Sequence, residues 1–199
     1  MNEVLTKPNE WQWIDERCGL IFGWYTEPFL NVMRTWDVSK WRVLEWGSGA
    51  STIWWGKNAR EVISVDHDPK WHAMVKEGLD ELKLKVDYRL ITTENEYVAP
   101  VKEGPFDCII IDGQFRMSCA TAISKAPEFI KDGGIIILDN FEFMPNVTEV
   151  DLFRINDLHI YPQPLHYYWR TCYWTIRQKN SLTDCHEANS KAQKLRRGM

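Results

Sequence analysis

A short apolar run, Val43-Leu44, ends in Glu45 and passes into a Gly-x-Gly turn at Gly47 and Gly49, with Ser48 between them. Ser51 and Thr52 then open a second apolar stretch through Ile53, Trp54 and Trp55. The order reads as strand, tight turn, helix N-terminus. Glycine permits backbone angles that other residues avoid and lets a ligand approach the main chain. A helix N-terminus adds unpaired N–H groups. Together they make a nucleotide-sized cradle at the edge of an α/β sheet.

The downstream pattern supports such a sheet. Glu61 to Val65 reads as a second strand, followed by Asp66-His67-Asp68. Asp68-Pro69 is a helix start, a cap followed by proline in the first turn. Leu84 to Ile91 reads as a third strand, with a polar turn at Thr92-Thr93-Glu94-Asn95. Phe106-Asp-Cys-Ile-Ile-Ile111 is the continuous apolar run that a parallel strand buried on both faces requires. Arg116 to Lys125 is helical, Asp132-Gly133-Gly134 reads as a turn, and Ile135 to Leu138 as a fifth strand ending in Asp139-Asn140. Phe141 to Asn156 shows no clear pattern. Leu158 to Tyr161 and Thr171 to Arg177 read as a closing antiparallel pair joined by an aromatic loop, Pro162 to Trp169. The expected architecture is α/β, a mostly parallel doubly wound sheet between helical layers, with a C-terminal antiparallel hairpin.

Upstream, Trp11 to Tyr25 reads as a poorly periodic helix followed by a loop. A clearer helix starts near Thr26-Glu27-Pro28 and carries Phe29, Leu30, Val32, Met33 and Trp36. Its aromatics either cover the sheet or form a lid over a ligand. The expected organisation is an N-terminal helical cap over 1–40, a core over 41–179 and a polar tail over 180–199.

Composition narrows the class. With 199 residues, 44% hydrophobic and 26% charged, the chain suits one soluble domain with a real core. The net charge of −4 argues against nonspecific nucleic-acid binding. Five scattered cysteines without a CxxC fit reduced thiols and a cytoplasmic setting. No signal-peptide pattern or membrane-length apolar run is present. The eleven tryptophans exceed what a core needs, so some are expected at a cavity or interface.

Four of the five expected parallel strands end in acids: Glu45, Asp66, Asp112 and Asp139. Ligands of parallel sheets bind at these strand ends. Gathered carboxylates cost stability unless something satisfies them. Asp66 stands nineteen positions past Gly47, where a carboxylate can accept both hydroxyls of a ribose. NAD, FAD and S-adenosylmethionine all carry that ribose. Thr52 stands in place of the third fingerprint glycine, no second nucleotide half is visible, and Glu45 is placed to take an amino-acid ammonium group. These features select S-adenosylmethionine.

VLEWGSGAST, ISVDHD, FDCIIIDG and GGIIILDN resemble the successive motifs of class I S-adenosylmethionine-dependent methyltransferases, whose core is a Rossmann-like three-layer sandwich. The resemblance spans roughly Trp41 to Asn140. It implies that Glu45 to Gly49 hold the methionine part, that Asp66 holds the ribose, and that Thr92 and Asp112 approach the adenine or the sulfonium. By position, Ser51 and Thr52 after the turn are expected to join the cofactor-binding set, as is His67, next to Asp66 at the edge of the adenine pocket. The chain also resembles metal-dependent catechol-type O-methyltransferases, which implies Mg²⁺ on Asp112, Asp139 and Asn140. That family has a lysine base after the first of these acids. Here Arg116 follows, which stays protonated and suits an anion clamp rather than a base.

The expected catalytic set is therefore Asp112, Asp139 and Arg116. The expected acceptor is a small molecule with a nucleophilic oxygen or nitrogen, with no membrane and no nucleic acid as partner. A non-catalytic S-adenosylmethionine-binding module and a methyltransferase acting on protein or nucleic acid are the alternatives; the basic tail from Lys191 supports the latter. His159, His166, Cys119 and Tyr167-Tyr168-Trp169 are weaker candidates for the acceptor side.

Overall fold

In the computed structural model, residues 14–15, 20–21, 25–163 and 166–177 are described. The lead-in before Ile14 and the tail from 178 lie outside the described residues. Two short strands, β1 (Ile14–Asp15) and β2 (Leu20–Ile21), pair antiparallel where a helix was expected. The apolar residues here lacked a helical period, and the ladder is what a non-periodic segment can form.

The helix α1 (Glu27–Met33) leads to β3 (Arg42–Trp46), the strand of the glycine turn. Then follow α2 (Ala50–Asn58), β4 (Glu61–Asp66), α3 (Pro69–Glu81), β5 (Asp87–Leu90) and α4 (Glu94–Val98). The chain continues through β6 (Phe106–Ile111), α5 (Arg116–Lys125), β7 (Ile130–Leu138), α6 (Asp151–Ile155), β8 (Asp157–Gln163) and β9 (His166–Thr175). Sheet order is β5-β4-β3-β6-β7-β9-β8. Strands β3 to β7 run parallel, and β9 lies antiparallel to both β7 and β8.

The order puts the first parallel strand, β3, between β4 and β6. The chain winds one way to β5, then crosses back to begin β6 on the other side. That reversal opens a crevice at the carboxyl ends of β3 and β6, where such sheets bind ligands. Alternation along the strands builds two cores. Leu44, Trp46, Ile63, Val65, Ile109 and Ile111 pack on the side of α4 and α5. Val43, Val62, Cys108 and Ile110 pack on the side of α1, α2 and α3. Ile109, Ile110 and Ile111 are fully buried, each contributing roughly 1.5–3 kcal/mol against exposure.

The local signals explain several elements. Asp68 Oδ1 accepts from Lys70 N at 2.8 Å and Trp71 N at 2.9 Å, capping α3 with Pro69 in its first turn. Thr26 does not cap α1 with its side chain; its hydroxyl donates to Tyr161 O instead (2.9 Å).

Three expectations are corrected. Asp132-Gly133-Gly134 lies inside β7, where pairing with β6 jumps from Phe106↔Ile130 to Cys108↔Ile135. Gly133, at φ +75°, donates to Ile176 O, so the irregular segment is held in the sheet by the chain beyond β9. The aromatic loop shrinks, because β8 continues through Pro162 to Gln163 and β9 begins at His166. Proline is tolerated because β8 is an edge strand. The patternless stretch after Phe141 holds short 3₁₀ turns and α6.

Candidate functional site

The glycine turn is tied to the loop after β6 by backbone contact. Gly47 has φ +94°, and a Cβ there would lie 2.2 Å from Gly113 N. A Cβ on Gly113 would lie 2.3 Å from the Tyr97 hydroxyl and 2.8 Å from Gly47. Trp46 O accepts from both Asp112 N (2.8 Å) and Gly113 N (2.7 Å). The two loops therefore share one surface that only glycine fits.

Glu45 is one position short of the end of β3, so its side chain turns to the α2 face, among the apolar residues. It is fully buried. Its Oε1 accepts from Ser51 Oγ (2.6 Å), and Oε2 accepts from Thr52 Oγ1 (2.5 Å) and Ser64 Oγ (2.7 Å). Ser64 is its register partner on β4. Burial pushes the carboxyl up to about 7, against the pull of the three hydroxyls. Glu45 and Thr52 thus brace the turn from behind and do not line the cavity in front of it.

Asp66, the last residue of β4, faces the turn. Its Oδ2 accepts from Ser48 N (3.0 Å) and Ser48 Oγ (2.6 Å), and Oδ1 from Asp68 N (3.0 Å). Tyr88 on β5 shares a hydrogen bond with Ser48 Oγ (2.6 Å) and stacks on His72 of α3 at 4.2 Å between rings. Trp71 bends over the turn from α3, its Nε1–H donating to Ser48 O at 2.7 Å. His67 follows Asp66 at the cavity edge, its ring edge-on to Tyr97 at 6.5 Å.

Arg116, the first residue of α5, organises the ends of β6 and β7. Its Nε donates to Gly113 O (2.9 Å), Nη1 to Asp139 O (2.5 Å) and Nη2 to Asp112 Oδ1 (3.1 Å). Longer contacts of 3.5 and 3.4 Å run from Nη1 and Nη2 to Asn140 Oδ1. A guanidinium has five N–H donors, and these contacts engage all of them. The expected anion clamp is corrected accordingly: no donor of Arg116 is left for a substrate carboxylate.

The same contacts correct the metal expectation. Asp112, Asn140 and the Asp139 carbonyl converge on a cation already, the guanidinium. Asp139 turns its side chain away, with Oδ1 accepting from Thr171 Oγ1 at 2.6 Å. Among the described residues no group of three or more His, Cys, Asp or Glu side chains is placed to hold a metal. The donor set does not fit Mg²⁺. Asp139 is 1% exposed and its Oδ2 has no partner among the described residues. Burial, then the nearby Asp112 charge, raises its carboxyl well above the usual range. Burial also raises Asp112, with Arg116 pulling the other way.

A cavity of about 340 Å³ occupies the crevice. It brings together Gly47, Ser48, Gly49, Ser51, Asp66, His67, Asp112, Arg116 and Asn140 from the sequence-derived set. Thr92 is exposed and apart from it. Sequence reading missed Tyr25, Leu30, Met33, Trp54 and Trp71 as lining residues. Trp71 carried a signal, as the third residue of a capped helix it faces back toward the turn. The N-terminal aromatics divide between the two readings. Phe29 and Trp36 pack against Tyr173 of the hairpin, whereas Tyr25 lines the cavity.

Two of the weaker candidates, His159 and Cys119, lie away from the cavity. His159 is exposed and stacks on Tyr173 at 4.6 Å. Cys119 is buried, and burial raises its thiol far from reactivity. His166 and Tyr167 to Trp169 enter β9, but their side chains lie outside the described residues.

A family model described as "Methyltransferase domain" matches residues 44–141, the span from β3 to the end of β7 and just beyond. No curated protein sequence matches the chain. Among solved structures, an O-methyltransferase from Bacillus cereus in complex with SAH is similar at TM-score 0.58 and 18% identity, over 87% of this chain and 93% of that one. An rRNA methylase from Streptococcus thermophilus is similar at TM-score 0.55 and 14% identity, over 71% and 90%. A precorrin 8w decarboxylase from Methanobacterium thermoautotrophicum is similar at TM-score 0.57 and 17% identity, over 75% and 89%. At these identities the likeness is one of fold, and the fold serves different acceptors.

Proposed function

Because the chain belongs to the class I S-adenosylmethionine-dependent methyltransferase superfamily, we propose that it transfers a methyl group from S-adenosylmethionine to an oxygen or nitrogen of a small molecule. The observation that carries this reading is the facing pair at one cavity: the Gly47-Ser48-Gly49 turn and the Asp66 carboxylate, both at strand carboxyl ends. Asp66 takes the ribose hydroxyls in place of Ser48. The turn, with Ser51, receives the methionine part, while Glu45 and Thr52 keep it in shape. His67 flanks the adenine, and Asp112 closes the sulfonium side. Thr92 plays no part.

Bound S-adenosylmethionine supplies an electrophilic methyl group and leaves as S-adenosylhomocysteine (SAH). The chain contributes alignment and exclusion of water. Trp54 and Trp71 wall the cavity, and Arg116 fixes Asp112 and Asn140 in one geometry. Asp139, buried and outside the cavity lining, does not meet the acceptor, and Asp112 is the carboxylate beside it for the proton the acceptor gives up. No step uses a metal. No helix among the described residues is long and apolar enough to cross a membrane, and the acceptor is taken to arrive from solution.

Calorimetric titration with S-adenosylmethionine, SAH and NAD tests the reading. The first two bind and NAD does not; binding of NAD alone would refute it. Asp66→Asn weakens SAH by about tenfold, since it removes one charge-assisted hydrogen-bond acceptor. Methyl transfer survives chelation of divalent ions.

A further inference from the structure

Asp112 and Asn140 each spend one side-chain atom on Arg116 and keep the other. Asp112 Oδ1 accepts from Nη2 at 3.1 Å, and Asn140 Oδ1 faces the same Nη2 at 3.4 Å. One nitrogen therefore holds the carboxylate and the amide side by side. The amide's orientation follows from chemistry. A guanidinium offers donors only, so Asn140 turns its oxygen to it and its NH₂ away. The backbone supports that placement, since Asn140 sits at φ +52°, a left-handed conformation that asparagine tolerates.

Two atoms remain, Asp112 Oδ2 and Asn140 Nδ2. Neither has a hydrogen-bond partner among the described residues. Neither is sealed off, in contrast to the buried and unpartnered Asp139 Oδ2. Both residues line the cavity, with Gly113 and Arg116 between them in the chain. The cavity wall thus carries an open acceptor beside an open donor, backed by one positive charge.

That pair discriminates between nucleophiles. A hydroxyl has one hydrogen and two lone pairs on oxygen. It gives the hydrogen to Asp112, takes the Asn140 N–H on one lone pair and keeps the other for the methyl carbon. A neutral amine nitrogen has a single lone pair. If the Asn140 N–H occupies it, none is left to attack; if it attacks, the amide donor is left unpaired, which costs free energy. As the hydroxyl proton leaves, negative charge develops on an oxygen that already faces the Asn140 N–H, with the guanidinium behind it.

We propose that Asp112 Oδ2 and Asn140 Nδ2 form the acceptor's hydrogen-bonding pair and select a hydroxyl over an amine. The proposal rests on the methyl-transfer reading above and narrows its acceptor to oxygen. The acceptor O–H bond breaks and its proton passes to Asp112 Oδ2. The oxygen forms a bond to the methyl carbon of S-adenosylmethionine, whose bond to sulfur breaks, and that electron pair stays on sulfur in SAH. Asp112 returns the proton to solvent.

The test has a binding arm and a transfer arm, both on the full chain near pH 8, where phenol keeps its proton and aniline is uncharged. With the protein saturated with SAH, calorimetry shows phenol binding about fivefold more tightly than anisole, which has no proton for Asp112. Asn140→Gly suits the left-handed backbone and adds no charge; Asn140→Asp keeps an oxygen facing Arg116. Both lose the donor, and both lower phenol affinity about fivefold. Asn140→Gly changes SAH affinity less than about twofold. With S-adenosylmethionine, mass spectrometry finds methyl transfer to phenol and not to aniline. Absence of phenol binding, equal binding of anisole, unchanged phenol affinity in Asn140→Gly, or transfer to aniline as fast as to phenol would each overturn the proposal. Failure of SAH to bind the wild type would instead refute the cofactor reading beneath it.

Discussion

Replacing Glu45 by glutamine isolates a titration that the fold imposes. In the folded chain this carboxyl lies near 7, against an ordinary value of 4.5, and burial is the cause. The native state therefore holds the proton more tightly than the unfolded chain does. A group raised in this way stabilises fully below its unfolded value, and that stability is lost as pH rises through the folded one. The gap corresponds to about 3 kcal/mol in total, of which about 2 kcal/mol falls between pH 5 and 8. Glu45→Gln carries no proton to lose. At pH 5 the wild-type side chain is mostly protonated and resembles the amide, so the variant is less stable by about 1 kcal/mol for one mismatched hydrogen bond. Ser51, Thr52 and Ser64 can turn their hydroxyls to suit an amide, which keeps that cost small. By pH 8 the difference has moved by about 2 kcal/mol in favour of the variant, enough to reverse its sign. Urea unfolding of both proteins at pH 5, 6, 7 and 8 measures this. Asp112 and Asp139 also titrate upward, but they are common to both chains and drop out of the difference. A difference that stays flat with pH would mean that Glu45 ionises normally, and the argument from burial would fail.

Gly47→Ala meets both a positive φ and a Cβ 2.2 Å from Gly113 N. It costs about 3 kcal/mol or more and abolishes SAH binding; a soluble variant of wild-type melting temperature would contradict the shared-surface geometry. Arg116→Met leaves Asp112, the Asp139 and Gly113 carbonyls and Asn140 without their donor, and lowers stability by about 3 kcal/mol in chemical denaturation. If Mn²⁺ already binds the wild type at this cluster, the argument against a metal is wrong. Trp71→Phe keeps the ring but loses the bond to Ser48 O; SAH affinity falls about fivefold, read by calorimetry, for one lost hydrogen bond.

Local signals carried much of the fold. The unbroken apolar run from Phe106 to Ile111 could only be a strand buried on both faces, and Asp68-Pro69 could only start a helix. The glycine turn and the ribose acid are likewise legible, because each is a residue type demanded at a fixed place in a strand-turn-helix unit. What these signals do not carry is the third dimension. Glu45 and Asp66 both look like strand-end acids. One lies a residue inside β3 and turns beneath α2, while the other ends β4 and faces the cavity. Glu45 pairs with Ser64, two residues before Asp66, so both acids point to the same face and differ in depth along the sheet, and the exact strand end is not written locally. Arg116 could be read as a clamp until its five donors were traced to groups on two loops and two strand ends. Thr26 is tied to Asp139 through Thr171, 145 positions further along the chain. Periodicity and turn chemistry are properties of neighbours in the chain, and they decide which elements form. Which buried polar group finds a partner, and which is left for a ligand, depends on contacts between distant segments and is decided only when the sheet and its helices close together.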